Sequence, residues 1–312
     1  MKILFTGASS FTGYWFVREL AAAGHDVTAV LRKRPEEYPD EVRRARAAGI
    51  LDVCTPAFGC SFGDEAFLGL LRDGGFDVLC HHAADVTNYR SPDFDAVGAA
   101  ANNARNLPAV IEALRAGGSR RIVLTGSVFE GGEGAGSQGL PDFSPYGFSK
   151  RLTSETFRYY AARDGSSLGK FVIPNPFGPY EEPRYTAYLM KNWLEGKVPS
   201  CSNPLYVRDN IHVSLLAKAY AGFVASLPDL PNYAQINPLG YAESQGAFTL
   251  RLAQEMRSRL DLPCEVELKK QTAFPEPRVR INTDVLDADI LGWDESAAWD
   301  AMAEYYQKGR PA

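Results

Sequence analysis

The stretch Lys2-Ile3-Leu4-Phe5-Thr6-Gly7-Ala8-Ser9-Ser10-Phe11-Thr12-Gly13 decides how this 312-residue chain is read. A short apolar run enters a turn that carries Gly7 and Gly13, and from Tyr14 to Ala23 the apolar residues take helical spacing. A strand passing through glycines into a helix is the opening of a dinucleotide-binding unit. Unpaired N–H groups and the dipole at the helix start favour the negative charge of a pyrophosphate. Gly7 is expected to supply the tight turn and Gly13 the close helix–strand packing. Ser10 stands where such turns usually have a middle glycine, so a side chain is expected where phosphates approach.

Working outward, strand and helix signals alternate. Val27–Leu31, Phe76–Cys80, Arg121–Thr125 and Lys170–Ile173 read as strands, with one helical stretch expected from Val97 to Ala116. This alternation predicts an α/β fold with a Rossmann-type, doubly wound parallel sheet and helices on both faces. Beyond Pro174 the pattern gives way to proline-rich connections and separate helices over Tyr185–Gly196 and Val213–Leu227. Residues 1–173 are therefore read as the dinucleotide-binding domain and 174–312 as a smaller mixed substrate domain, with a return to the first around 208–235. The glycine-rich stretch Gly126–Gly139 is expected to be a loop. Tyr14-Trp15-Phe16 reads as packing.

Composition narrows the function class. A 45% hydrophobic share supports a sizeable core, and a net charge of −5 without a long basic run does not imply nucleic acid as a partner. No segment approaches the ~20 apolar residues of a membrane span. Five cysteines, at 54, 60, 80, 201 and 264, lack metal-ligand spacing, and no signal peptide is evident, which fits a reduced, cytoplasmic setting. His81 and His82 follow an apolar run without a third ligand at useful spacing, so no metal site is expected.

Chemistry is concentrated at Tyr146-Gly147-Phe148-Ser149-Lys150. Positions i and i+4 share a helix face, so the Lys150 ammonium can lie near the Tyr146 phenol and favour its phenolate. Tyr146 could then exchange a proton with a carbonyl or alcohol oxygen. With 15 tyrosines in the chain, spacing alone carries little weight. Ser127 adds context, because it ends a strand-like run at the sheet's carboxyl edge, where ligands bind in such folds.

These residues resemble the extended short-chain dehydrogenase/reductase family acting on nucleotide sugars. Thr6-Gly7-x-x-Ser10-Phe11-x-Gly13 is similar to its T-G-x-x-G-F-x-G loop, His81-His82-Ala83-Ala84 to H-x-A-A, and Thr125-Gly126-Ser127 to its serine motif. Tyr146 and Lys150 match Y-x-x-x-K, and Asn175–Pro179 resembles N-x-Y-G-P. Arg208–Val213 resembles R-D-Y-I-H-V, and Leu291-Gly292-Trp293 resembles the terminal L-G-W. The resemblance implies Ser127, Tyr146 and Lys150 as the catalytic set, with Lys150 also holding the nicotinamide ribose. It implies cofactor contacts from Gly7, Ser10, Phe11, Gly13, Ala83, Ala84 and Pro174. Asn175, Arg208 and Arg278 would meet the nucleotide diphosphate, and a homodimer is implied through helices near Ala99–Leu114 and Tyr146–Ala162.

Departures from the family pattern shape the expected reaction. Arg32 and Lys33 follow the second strand where NAD-preferring members place an acid, so a 2′-phosphate and hence NADP is expected in preference to NAD. Gly59-Cys60-Ser61 replaces the G-D-L segment near the adenine, and Ala100 takes the place of an early helical asparagine, with Asn102 and Asn103 shifted. Val128 and Phe129 occupy the positions of the Asp-Glu pair of sugar dehydratases, and Glu130 comes one residue too late. The reading is NADPH-dependent reduction of a 4-keto nucleotide sugar. The alternatives are an NAD-dependent 4-epimerase and a nonenzymatic NADP-binding regulator.

Overall fold

The computed structural model describes residues 1–136 and 139–309; within the glycine-rich stretch, Ser137 and Gln138 lie outside them. The chain begins β1 (Lys2–Thr6), α1 (Phe11–Ala22), β2 (Asp26–Leu31), α2 (Glu41–Ala48), β3 (Thr55–Phe58), α3 (Glu65–Gly74) and β4 (Val78–His81). It continues through α4 (Ala96–Asn103), α5 (Leu107–Ala116), β5 (Arg121–Ser127), α6 (Pro145–Arg163), β6 (Ser167–Ile173), β7 (Asn175–Phe177) and α7 (Tyr185–Leu194). Then come β8 (Ser200–Cys201), β9 (Val207–His212), α8 (Val213–Ser226), β10 (Tyr233–Ile236), β11 (Pro238–Leu239) and β12 (Tyr241–Ser244). The last elements are α9 (Gln245–Leu260), β13 (Glu267–Leu268), β14 (Val279–Arg280), β15 (Asp284–Val285) and α10 (Glu295–Lys308).

The chain divides into two units. Residues 1–133, 141–173 and 217–237 form the first, and residues 134–140, 174–216 and 238–312 the second.

A seven-stranded parallel sheet in the order β10-β6-β5-β4-β1-β2-β3 organises the first unit. β1 lies where the order reverses, pairing Ile3 with Val27 on one side and with Val78 on the other. Ile3, Leu4 and Phe5 are fully buried, which is why β1 reads as a continuous apolar run rather than an alternating one. β3 carries Pro56 and was not expected; it lies at the sheet edge, where a missing N–H costs no ladder bond. Leu4, Leu79, Ile122 and Phe157 anchor one apolar cluster, while Phe16 stacks on Tyr220 at 4.0 Å elsewhere in the unit.

The single helix expected over Val97–Ala116 is two. α4 ends at Asn103 and α5 begins at Leu107, with Asn106 between them in the left-handed region at φ 53°. Pro108 falls in the first turn of α5, where its absent N–H is tolerated and a continuous helix is not.

The second unit holds a smaller mixed sheet. β9 pairs antiparallel with β12 and parallel with β14 and β7. Its core gathers Phe177, Trp193, Phe248, Met256 and Trp299, with Phe177 stacked on Trp299 at 5.4 Å. All five cysteines are free, and no helix among the described residues is long and apolar enough to cross a membrane.

Candidate active site

The turn between β1 and α1 has room for neither of its glycines to carry a side chain. Gly7 sits at φ +81°, and a Cβ there would lie 2.8 Å from the Ala83 nitrogen; one on Gly13 would lie 2.2 Å from the Gly7 carbonyl oxygen. Ser10 does not intrude as expected. It is the N-cap of α1, its Oγ accepting from the Gly13 N–H at 3.1 Å and donating to the Gly7 carbonyl at 2.8 Å. The hydroxyl therefore folds back into the turn, and the buried Phe11 opens the helix.

β4 completes this edge. Thr6 Oγ1 accepts from the His82 and Ala83 N–H groups at 3.2 and 3.1 Å, which sets half-buried Ala83 and Ala84 beside Gly7. The His82 ring bridges turn and sheet: Nε2 lies 3.0 Å from Thr12 Oγ1 and 3.1 Å from Ser10 Oγ, and Nδ1 lies 2.9 Å from Thr125 Oγ1. Burial brings both His81 and His82 down to about 3, helped by the Lys150 charge, so they are neutral structural rings. Among the described residues no cluster of His, Cys, Asp and Glu could hold a metal ion.

Arg32 and Lys33 are exposed just beyond β2. The cations that reach the glycine turn come instead from α2. Arg43 donates from Nε and Nη2 to Ser9 Oγ, each at 3.2 Å, and buried Arg46 donates to the Ser9 carbonyl at 3.1 Å. In the sequence the pair looks like a local charge cluster; their i, i+3 spacing on a helix is the signal that they share a face.

Ser127, Tyr146 and Lys150 belong to β5 and α6. Ser127 is buried at the end of β5, its Oγ accepting from the Phe129 N–H at 3.2 Å. Ser144 caps α6 through the Gly147 N–H. A Cβ on Gly147 would lie 2.1 Å from the Phe129 carbonyl oxygen, so this glycine lets the start of α6 press against the loop leaving β5. Tyr146 is half-buried beside Tyr89, with ring centroids 5.3 Å apart. One turn on, the buried Lys150 Nζ donates to the Thr125 carbonyl at 2.6 Å. Burial brings Lys150 down to about 8, with Glu130 opposing that shift and Lys170 adding to it.

Two residues at this edge, named in the sequence only within motifs, acquire definite partners. Thr125 offers its carbonyl to Lys150 and its hydroxyl to His82. Asn103 accepts from the Asp85 N–H at 2.7 Å and donates to Thr153 Oγ1 at 3.2 Å, tying the segment after β4 to α6. The shifted asparagine thus has a structural partner on α6.

The remaining expected residues lie in the second unit. Pro174 is buried between β6 and β7, and Asn175 donates to the Asp209 carbonyl at 3.0 Å. Arg208 lies over the Tyr206 ring at 4.4 Å, donates to the carbonyls of Val207, Pro277 and Arg278, and pairs with Glu276 at 2.9 Å. Arg278 is exposed and covers the Phe274 ring at 4.1 Å. Structure brings the two arginines together, with the first already holding the backbone of the second. The His212 Nδ1 lies 2.8 Å from Ser214 Oγ, which accepts from Trp293 Nε1. Glu181 is buried, accepts from Thr186 and Tyr306, and is pushed up to about 7 by desolvation. A pocket of about 280 Å³ is lined by Tyr185, Tyr188, Ser200, Cys201, Ser202, Asn203 and Gln245.

A search of curated proteins gives no match. Among solved structures, the chain is similar to a UDP-glucose 4-epimerase from Thermotoga maritima with UDP-glucose, at 19% identity over 99% of both chains and a TM-score of 0.72. It is similar also to a tyrosine-to-phenylalanine variant of a Bacillus cereus UDP-glucuronic acid 4-epimerase in complex with a fluorinated UDP-glucuronic acid and NAD, at 19% identity, 99% of both chains and 0.74. A UDP-glucose 4-epimerase from Stenotrophomonas maltophila with bound NAD matches at 19% identity over 99% of this chain and 98% of that one, at 0.74. At such identities the likeness is one of fold. A sequence model of the NAD dependent epimerase/dehydratase family matches residues 3–237, most of the length, and the chain belongs to that family.

Proposed function

We propose that the protein is a nicotinamide-dependent 4-epimerase of a nucleotide-activated sugar, with Ser127, Tyr146 and Lys150 as its catalytic residues. The observation that carries this reading is the Lys150 ammonium, one helical turn from Tyr146 and anchored on the Thr125 carbonyl two residues before Ser127. Family membership and the UDP-sugar 4-epimerases among the fold neighbours support it.

The turn fits a dinucleotide. A helix of twelve residues starts at the carboxyl edge of a parallel sheet, beside the strand where the order reverses, and there is no room for a Cβ at Gly7, against Ala83, or at Gly13, against the Gly7 carbonyl. Gly7, Ser10, Phe11 and Gly13 would hold the pyrophosphate, Ala83 and Ala84 the adjoining ribose edge, and Lys150 and Pro174 the nicotinamide end. When bound, the nicotinamide supplies a reversible hydride acceptor. Tyr146, as phenolate favoured by Lys150, takes the proton of the C4 hydroxyl and returns it to the C4 oxygen afterwards, while Ser127 hydrogen-bonds that oxygen. Asn175, Arg208 and Arg278 hold the diphosphate, Arg208 exchanging Glu276 for it.

A second reading, an NADPH-dependent 4-ketoreductase, draws support from Arg43 on Ser9 and from the exposed Arg32 and Lys33, all suited to a 2′-phosphate. Identifying the dinucleotide released on denaturation separates the two. Tightly held NAD is expected for the epimerase; empty protein that takes up NADPH and consumes it would favour the reductase. We propose a homodimer in either case, supported by exposed Val97 on α4 and Tyr159 on α6.

A further inference from the structure

Behind Ser127 and Lys150 lies a buried charge cluster that the proposed chemistry does not use. Glu130 is fully buried, and its carboxylate reaches three elements. Oε1 accepts from the Ser127 N–H at 2.8 Å, and Oε2 accepts from Ser154 Oγ at 2.9 Å and from Lys170 Nζ at 2.6 Å. Ser127 ends β5 and Lys170 is on β6; Ser154 is on α6, one turn beyond Lys150 and two beyond Tyr146. Lys170 also pairs with Glu133 at 2.7 Å, and the other Glu133 oxygen accepts from Gln235 and Asn237 at 2.8 and 2.9 Å. The space for the cluster comes from Gly126, where a Cβ would lie 2.7 Å from Lys170 Cε and 3.0 Å from Glu130 Oε1.

Removing one partner from a buried charged group leaves the other uncompensated, so such a cluster holds its geometry stiffly. We infer that Glu130 is a positioning residue, its carboxylate locking the Ser127 end of β5 to the helix that carries Tyr146 and Lys150, with Lys170 as its buried counter-charge. The inference rests on the proposed role of those three residues. Glu130 touches neither substrate nor cofactor in this scheme; it acts by holding the backbone of one catalytic residue and the helix of the other two. Glu133 holds the far side of Lys170 together with Gln235 and Asn237 and has no direct part.

The test compares Glu130→Ala, Glu130→Gln with Lys170→Met, and Glu133→Gln, each as full-length protein with C4 epimerisation of a UDP-hexose as the assay. For Glu130→Ala we expect kcat to fall roughly 10- to 100-fold while KM and NAD affinity stay within about 2-fold, the split of a misplaced catalytic group. The double variant keeps an acceptor for the Ser127 N–H and leaves Glu133 its donors Gln235 and Asn237, and kcat recovers to within about 5-fold of wild type. Glu133→Gln stays near wild type. The Ser127 amide proton, followed by NMR, moves upfield when its carboxylate acceptor is lost. A folded Glu130→Ala protein with unchanged kcat overturns this inference and leaves the functional reading standing. Wild-type protein that binds NAD but epimerises no nucleotide sugar overturns both.

Discussion

The Lys150 ammonium donates to the carbonyl oxygen of Thr125 at 2.6 Å from a fully buried position. A charge so placed costs stability. Burial brings Lys150 from its ordinary 10.5 down to about 8, so below about 8 both folded and unfolded chains carry the proton and the whole cost is felt. Between about 8 and 10.5 the unfolded chain binds more protons than the folded one, and stability rises with pH. Lys150→Met is therefore expected to unfold at higher urea near pH 7, by roughly 1–2 kcal/mol after the lost hydrogen bond is counted, and to lose that advantage by pH 10. Lower stability of the variant at pH 7 would refute this account of the site.

The proposed role of the same ammonium predicts a pH range for activity. If Lys150 must be charged to favour the Tyr146 phenolate, kcat/KM of the free protein falls above about 8. Tyr146→Phe removes the proton carrier and is expected to lower kcat by about 10³ with little change in cofactor affinity. A pH–rate profile flat through pH 9 would detach Lys150 from the chemistry.

Ser10 gives a prediction opposite to what a glycine motif suggests. Because its hydroxyl caps α1, Ser10→Ala should destabilise the protein by about 1 kcal/mol, and Ser10→Gly by only a few tenths. Urea titration of the three proteins measures the difference. Equal stability of all three would mean that the cap contributes nothing.

Arg43 decides cofactor preference if a 2′-phosphate is bound. Arg43→Ala is then expected to weaken NADPH binding about 10-fold and NADH binding less than 2-fold, by fluorescence titration. Equal loss for both cofactors would assign Arg43 to the turn alone.

Much of this was legible because the sheet imposes strong local patterns. β1 through Gly13 reads as strand, turn and helix since every residue there obeys the same demand, buried strand or crowded turn. Tyr146 and Lys150 share a face of α6 because a continuous helix preserves their i, i+4 spacing. Three things escaped, each for a physical reason. Pro56 hides β3, because an edge strand tolerates what an inner one does not. Asn106 and Pro108 divide a stretch whose apolar periodicity runs through them. Glu130, read as a displaced dehydratase acid, is instead held by Lys170 and Ser154, and a partner 40 residues away leaves no local trace.

The most direct test of the central claim uses UDP-hexoses deuterated at C4, with the C4 configuration and its label read by NMR. The account predicts interconversion of the two C4 epimers with deuterium kept at C4 and no net change in nicotinamide oxidation state, and interconversion about 10³ slower in Tyr146→Phe. Turnover limited to a 4-keto sugar, with one NADPH consumed per product, would contradict it.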